Sequence, residues 1–233
     1  MRAKSRGKVT MELTDAMRSQ NACRYYKSDP VPSEVFYNAV EAARFGPQGG
    51  NRQPVRFLIV TDPAKKKQLK DWYLVPWKAY YNAAASGQDA IEAESGDTKA
   101  THLGMSNPEK SLADADNFAE NFDKHPAIVI VLADLEDTHP TDTDLGRLSV
   151  VGGASVYTIA QNFCLALRNQ NVATTFTTLL CMYEKEIKEL FNVPENLSTA
   201  AFIVAGYPEK GFPKKLFRRP VEEMAFVDSF NKP

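Results

Sequence analysis

Residues 45–60 read FGPQGGNRQPVRFLIV, and the order of elements in this stretch decides how the rest of the chain is read. Gly49 and Gly50 sit in a polar turn closed by Pro54, and an apolar run from Val55 follows at once. The turn therefore leads from a helix into a strand. A Walker phosphate loop needs GxxxxGK[ST] between a strand and a helix, which is the reverse order. A dinucleotide fold needs GxGxxG in a strand-to-helix turn, and that pattern is absent. A plain turn accounts for the glycines, which accept positive φ without steric cost. It leaves Asn51, Arg52 and Gln53 unexplained. These three bring amide donors and acceptors and a cation beside exposed backbone N–H groups. That chemistry suits a flat heteroaromatic ring edged with carbonyls and ring nitrogens.

Working outward, Val35, Phe36, Ala39, Val40 and Ala43 share one face of a helix at about 34–45, capped by Ser33 and stopped by Gly46 and Pro47. Upstream, Thr10 caps a first helix that runs to about Gln20, and CRYYKSDPVP is an extended link. Downstream, Val55 to Thr61 is a buried strand, and Asp62 with Pro63 opens a helix that Pro76 breaks or kinks. Residues 83–113 are small, polar and glycine-bearing, a lid-like excursion from an otherwise compact pattern. Regular structure resumes at Asp114, and AIVIVLADL after Pro126 is a second buried strand. The most apolar helix spans about Leu148 to Gln170, with Gly152, Gly153 and Ala154 near its start for close packing and Asn171 in a left-handed position after its end. VATTFTTLL is a short strand and turn, EKEIKELF a short helix, and STAAFIVAGY the last core strand.

The chain has 233 residues, 43% hydrophobic and 24% charged, with a formal net charge of −1. It is read as one domain over 10–233, preceded by a mobile tail at 1–9 that is basic but lacks the apolar segment of a signal peptide. The balanced charge predicts neither nucleic acid nor membrane as a partner. No apolar run is long enough to span a bilayer. Cys23, Cys164 and Cys181 are odd in number and widely spaced, which argues against a disulfide framework or a zinc site and for the cytoplasm. His102, His125 and His139 share no metal-ligand spacing. Trp72, Tyr73, Trp77, Tyr80 and Tyr81 cluster before the excursion, as core or as the wall of a pocket.

Four motifs in order carry a resemblance. PQGGNRQP, from Pro47 to Pro54, resembles the PSxxNxQPW signature of the FMN-dependent nitroreductase superfamily. QNACR, from Gln20 to Arg24, sits where that superfamily has RRSxR, and is followed by a similar Y-x-x-D-P-V-P. TFTT, Thr175 to Thr178, falls at the family's flavin-contacting strand end, and AGY with RRPVEE resembles its GY…RxPxEE ending. The resemblance spans about residues 10 to 225.

The resemblance implies an α+β fold: a mixed, largely antiparallel sheet wrapped by helices around a long central helix, in an intertwined homodimer. The tail at about 211–233, with Phe217, Phe226 and Phe230, would dock on the partner subunit. It implies FMN as cofactor, NAD(P)H as reductant, and ping-pong reduction of a flat, electron-poor small molecule such as a nitroaromatic, quinone or activated alkene. Arg24 and Arg218 would clasp the FMN phosphate, since a guanidinium offers a charged fork to phosphate oxygens. Pro47, Gln48, Gly49, Asn51 and Gln53 would line the flavin ring, with Arg52 as a nearby cation, and Thr177 and Thr178 would lie near flavin N5. No catalytic side chain is implied, because the flavin carries the chemistry. Gln20 and Ala22 replace the arginine and serine usual there, so the clasp lacks one charge and one hydroxyl; Arg18 is close by on the preceding helix. Lys214, Lys215 and Arg219 read as peripheral. The alternatives are a reductive dehalogenase or flavin destructase of the same fold, or a non-catalytic flavin-binding protein.

Overall fold

The computed structural model describes residues 11–85 and 107–230. The expected mobile tail at 1–9 lies outside them, as does most of the lid-like excursion. Strands β1 (Val55–Val60), β2 (Ala127–Asp134), β3 (Ala173–Thr177) and β4 (Leu197–Gly206) form one sheet in the order β1-β2-β4-β3. Each neighbouring pair is antiparallel, and a parallel bridge, Ala22↔Thr174, extends the β3 edge. The register slips between Val131 and Leu132, so Ala200 stands as an extra residue on β4. Its carbonyl accepts a hydrogen bond from the Tyr157 hydroxyl at 3.3 Å.

The helices are α1 (Leu13–Ser19), α2 (Ser33–Ala43), α3 (Pro63–Ala85), α4 (Pro108–Glu120), α5 (Ala154–Asn169) and α6 (Glu184–Phe191). Helix α5 is the central helix. Val156, Ile159, Ala160, Phe163, Cys164 and Leu167 recur at helical spacing and are all buried. They face Ala127, Val129, Val131 and Ala133 of β2, with Ala201, Ile203 and Ala205 of β4. The other face of the sheet presents Ile128, Ile130, Leu132, Phe202 and Val204, and packs on Leu69, Tyr73 and Trp77 of α3 and Phe118 of α4. Each fully buried large side chain contributes about 1.5–3 kcal/mol of transfer free energy. Helix α2 also packs on the α5 side, through Phe36, Ala39 and Ala43.

Several boundaries differ from the sequence reading. The central helix begins at Ala154, not near Leu148. Asp142 is the reason: its carboxylate accepts from Ser149 Oγ at 2.7 Å and from the N–H groups of Val150 (2.8 Å) and Val151 (3.4 Å), satisfying them outside the helix. The hydrogen bond from Ser149, with those from the two amides and Arg147, holds its carboxyl down at about 2. Helix α3 runs through Pro76 without a break. It extends to Ala85, and α4 starts at Pro108, so the described ends of the 83–113 stretch are helical. Asn107 caps α4, accepting from Lys110 N at 2.9 Å. Asn171 is left-handed as expected, with φ 60°.

Cys23 and Cys164 are buried and Cys181 is half-buried; all three thiols are free. Burial pushes the Cys164 thiol up to about 12, as befits a packing residue of the core. Among the described residues, no helix is long and apolar enough to cross a membrane, and no group of His, Cys, Asp or Glu is placed to hold a metal ion.

Candidate functional site

The segment after α1 runs along the open edge of β3. Cys23 N–H donates to the Thr174 carbonyl at 3.0 Å. Arg24 is thereby carried beside Thr175, Phe176 and Thr177, where β3 ends. There it lines a cavity of about 180 Å³ with Tyr73, Trp77, Phe118 and Thr177. Its guanidinium carbon lies 5.5 Å from the centre of the Phe118 ring, a cation–π distance. Arg24 also lines a second cavity of about 620 Å³, together with Trp77, Tyr80, Asp114 and Arg218. The two arginines assigned to one phosphate from motif alone thus meet at one hollow, although they lie near opposite ends of the chain.

The acid at this hollow is already engaged. Asp114 accepts from Tyr25 Oη at 2.5 Å and pairs with Lys110 at 2.7 Å. The Lys110 hydrogen bond, with that from Tyr25, lowers the Asp114 carboxyl. Tyr25 titrates higher because its hydroxyl donates to that carboxylate, and Lys210 Nζ sits 3.8 Å from its ring centre.

The 47–53 turn lies elsewhere, against the start of α5. Thr158 Oγ1 donates to the Pro47 carbonyl at 3.1 Å, and Gly49 N–H donates to Ser155 Oγ at 3.0 Å. Gly46 comes so close to α5 that a Cβ there would sit 2.7 Å from Ile159 Cδ1 and 2.8 Å from Asn162 Nδ2. Gly50, Asn51 and Gln53 have φ of 60°, 54° and 56°. Glycine and asparagine accept that conformation; for Gln53 it costs roughly 1–2 kcal/mol. Strain of this kind clusters at functional sites, and a plain helix-to-strand turn does not require it. Gln48 Nε2 donates to the Arg44 carbonyl at 3.2 Å, Gln53 Nε2 to the Asn51 carbonyl at 3.4 Å, and Arg52 Nη1 meets His139 Nδ1 at 3.2 Å. The residues lining the two Arg24 cavities do not include this turn.

The remaining candidates divide between wall and core. Tyr73 and Trp77 are buried core residues that also line the smaller cavity, and Tyr80 lines both. Trp77 Nε1 donates to Asp116 Oδ1 at 2.8 Å, which fixes its ring. Trp72 is away from the cavities, stacked on Tyr183 at 5.9 Å. The side chain of Tyr81 lies outside the description, as does His102. Thr177 is half-buried in the cavity wall, whereas Thr178 is exposed and leads into a 3-10 turn. His125 is buried between Tyr26 and Phe118, and burial pushes its imidazole down to about 4. Lys214 and Lys215 were read as peripheral, yet they line a hollow with Arg218. That placement depends on how the tail folds back, which no local pattern encodes. Ser155 and Thr158, which hold the turn, carry no local signal because their partners Gly49 and Pro47 are remote in sequence.

Known proteins agree with this architecture. Residues 17–207 match the Nitroreductase family. The Bacillus subtilis protein YfhC, named provisionally as an NAD(P)H nitroreductase, is 23% identical, with 91% of both chains covered. An iodotyrosine deiodinase of Nematostella vectensis is 24% identical, over 93% of this chain and 75% of its own. A nitroreductase from Desulfitobacterium hafniense, solved with bound FMN, superposes with a TM-score of 0.62 at 15% identity, covering 94% of this chain and 100% of its own. The family match covers most of the chain, from α1 through β4, and the chain belongs to the nitroreductase family.

Proposed function

We propose that this protein is an FMN-dependent oxidoreductase that takes reducing equivalents from NAD(P)H and passes them to a flat, electron-poor small molecule. One observation carries the reading: Arg24 and Arg218 line a single cavity whose other walls include the aromatic rings of Trp77 and Tyr80. Paired guanidinium groups suit a phosphate, and rings beside them suit a planar body. When bound, FMN supplies the hydride chemistry. Arg24 and Arg218 hold its phosphate, Trp77 and Tyr80 bound the space for the acceptor, and Thr177 stands at the strand end near the ring. The names of the relatives support the same assignment, since one is a nitroreductase solved with FMN and another an NAD(P)H nitroreductase by name.

The turn completes the site from a second copy of the chain. In one chain the strained 47–53 turn and the arginine cavity are separate, so a homodimer that brings them together is part of the proposal. Large apolar side chains left exposed near the start of α5 and along the tail support it: Leu148 is 91% exposed, Val150 77%, Val221 70% and Phe230 86%. The turn would then offer Gln48, Asn51 and Gln53 to the ring edge, with Arg52 as a cation that favours the reduced, anionic ring. Three free thiols fit a reducing compartment, and we place the protein in the cytoplasm on that ground.

A second reading has its own support. The Nematostella relative is an iodotyrosine deiodinase and aligns over nearly the whole chain, so a halogenated phenol is a competing acceptor. The protein is expected to purify yellow and to release FMN, identified by mass spectrometry; FAD, a deazaflavin, or no flavin after reconstitution would overturn the reading. An anaerobic acceptor panel that includes nitroaromatics, quinones and a halotyrosine then separates the two activities.

A further inference from the structure

The phosphate motif of this chain lacks the arginine at residue 20, and the structure shows a cation nearby. Gln20 stands where the family motif has arginine. Its amide is engaged within the protein, donating to Thr174 Oγ1 at 3.3 Å and accepting from Gln161 Nε2 at 3.4 Å. Two residues earlier, Arg18 leaves the last turn of α1 and lines a hollow of about 330 Å³ with Lys214, Lys215 and Arg218. That hollow shares Arg218 and Leu216 with the larger Arg24 cavity, so the two adjoin at those residues. None of its four cations forms an ion pair among the described residues.

Arg168 explains why these groups meet. It is buried in the last turn of α5, 8% exposed. Its Nε donates to Ser19 Oγ at 2.9 Å, and its guanidinium carbon stacks 3.5 Å from the centre of the Phe212 ring. One contact fixes the residue after Arg18; the other fixes the residue two before Lys214. Arg168 therefore ties α1 to the tail, and its own Nη1 is buried without a partner. Four like charges held together repel one another, and a phosphate monoester dianion at their centre reverses the sign of that energy.

We propose that Arg18 is a ligand of the FMN phosphate, supplying from α1 the charge that the family motif places at residue 20. The phosphate sits where the two hollows meet at Arg218, with Arg24, Arg218 and Arg18 around it and Lys214 and Lys215 at the rim. Arg168 is a positioning residue. The assignment rests on the flavin reading above and deepens it.

The test is binding, not turnover. Deflavinated wild type, Arg18→Gln, Arg18→Lys and the control Lys67→Gln are titrated with FMN and with riboflavin, following flavin fluorescence. Lys67 pairs with Asp71 on an exposed turn of α3 and does not line the cavities. Riboflavin has the same ring without the phosphate, so unchanged riboflavin affinity also certifies an intact fold. Arg18→Gln should weaken FMN by about tenfold or more, the loss expected for one charge-assisted hydrogen bond. Riboflavin affinity should stay level, Arg18→Lys should recover part of the loss, and Lys67→Gln should match wild type. Equal FMN affinity in Arg18→Gln and wild type would overturn the proposal, as would parallel losses of FMN and riboflavin. An Arg18→Gln protein that keeps FMN but raises KM for NADPH and not NADH would also overturn it, moving these cations to the reductant's 2′-phosphate. Wild type that binds neither flavin would overturn the flavin reading itself, and this assignment with it.

Discussion

The two faces of the sheet differ in the size of what they carry. Toward α5, strands β2 and β4 present mainly Ala and Val, and on the same side Gly46, in the turn after α2, meets α5 with no room for a Cβ. Toward α3 and α4 the same strands present Ile, Leu and Phe, and the covering residues are aromatic. Tyr73 stacks on Phe122 at 4.3 Å and Phe118 on His125 at 4.6 Å. Under α5 the small side chains of β2 and β4 are all buried, and the hollow on that side lies farther out, between α2 and Ile59 of β1. Large rings fill their own face less completely, and at the β3 edge that layer opens into the Arg24 cavities. Alternation along a strand thus writes a closed surface and a receptive one at once.

Three measurements bear on that contrast. The largest effect is expected on the closed face: Phe163→Ala should lose about 3–5 kcal/mol in urea unfolding. Phe163 is fully buried and stacked on Phe57 at 4.6 Å. A loss under about 1 kcal/mol would mean that this face is not tightly filled. Next comes pH dependence on the receptive face. His125 is held neutral, its value pushed from 6.5 down to about 4. The unfolded chain binds that proton first, so stability should be full above about 6.5 and fall as pH drops toward about 4. The slope from this group should not exceed about 1.4 kcal/mol per pH unit. His125→Phe should flatten the profile in that window; an unchanged profile would assign it to other groups. The smallest effect is Gly46→Ala, at about 1–3 kcal/mol, because the ends of Ile159 and Asn162 have some freedom to yield. A neutral result would show that the turn stands off α5 in solution.

Much of the fold was legible because burial has a period. The unbroken apolar run AIVIVLA, buried on both faces, and the i, i+3, i+4 pattern of α5 name a central strand and a central helix directly. The sheet order β1-β2-β4-β3 was not legible, since nothing local states which strands pair. Helix starts were read unevenly. Asp62-Pro63 was recognised as a cap and first turn, and Asp62 does accept from Lys65 N at 2.9 Å. Asn107-Pro108 carries the same signal, but it sits at the end of a polar stretch and was absorbed into it. At the site, Arg24 and Arg218 stood out by motif and Arg18 by its closeness in sequence, whereas Lys214 and Lys215 become its neighbours only through Arg168 and the returning tail. A charge that reaches its place through tertiary structure leaves no spacing to count.

The buried thiol of Cys164 offers a clock for the closed face. A thiol reagent attacks the thiolate, and Cys164 is 0% exposed with a value near 12, so in the packed state it has neither access nor charge. Its labelling rate therefore counts the moments when α5 lifts from the sheet. Cys181, half-buried in the turn after β3, labels under a lesser restraint and provides an internal reference. A ligand that braces the receptive face alone would leave the Cys164 rate untouched. One that tightens the whole molecule would slow it, the logarithm of the rate falling in proportion to the stabilisation, so a single slow chemical modification reports whether the two faces open together or apart.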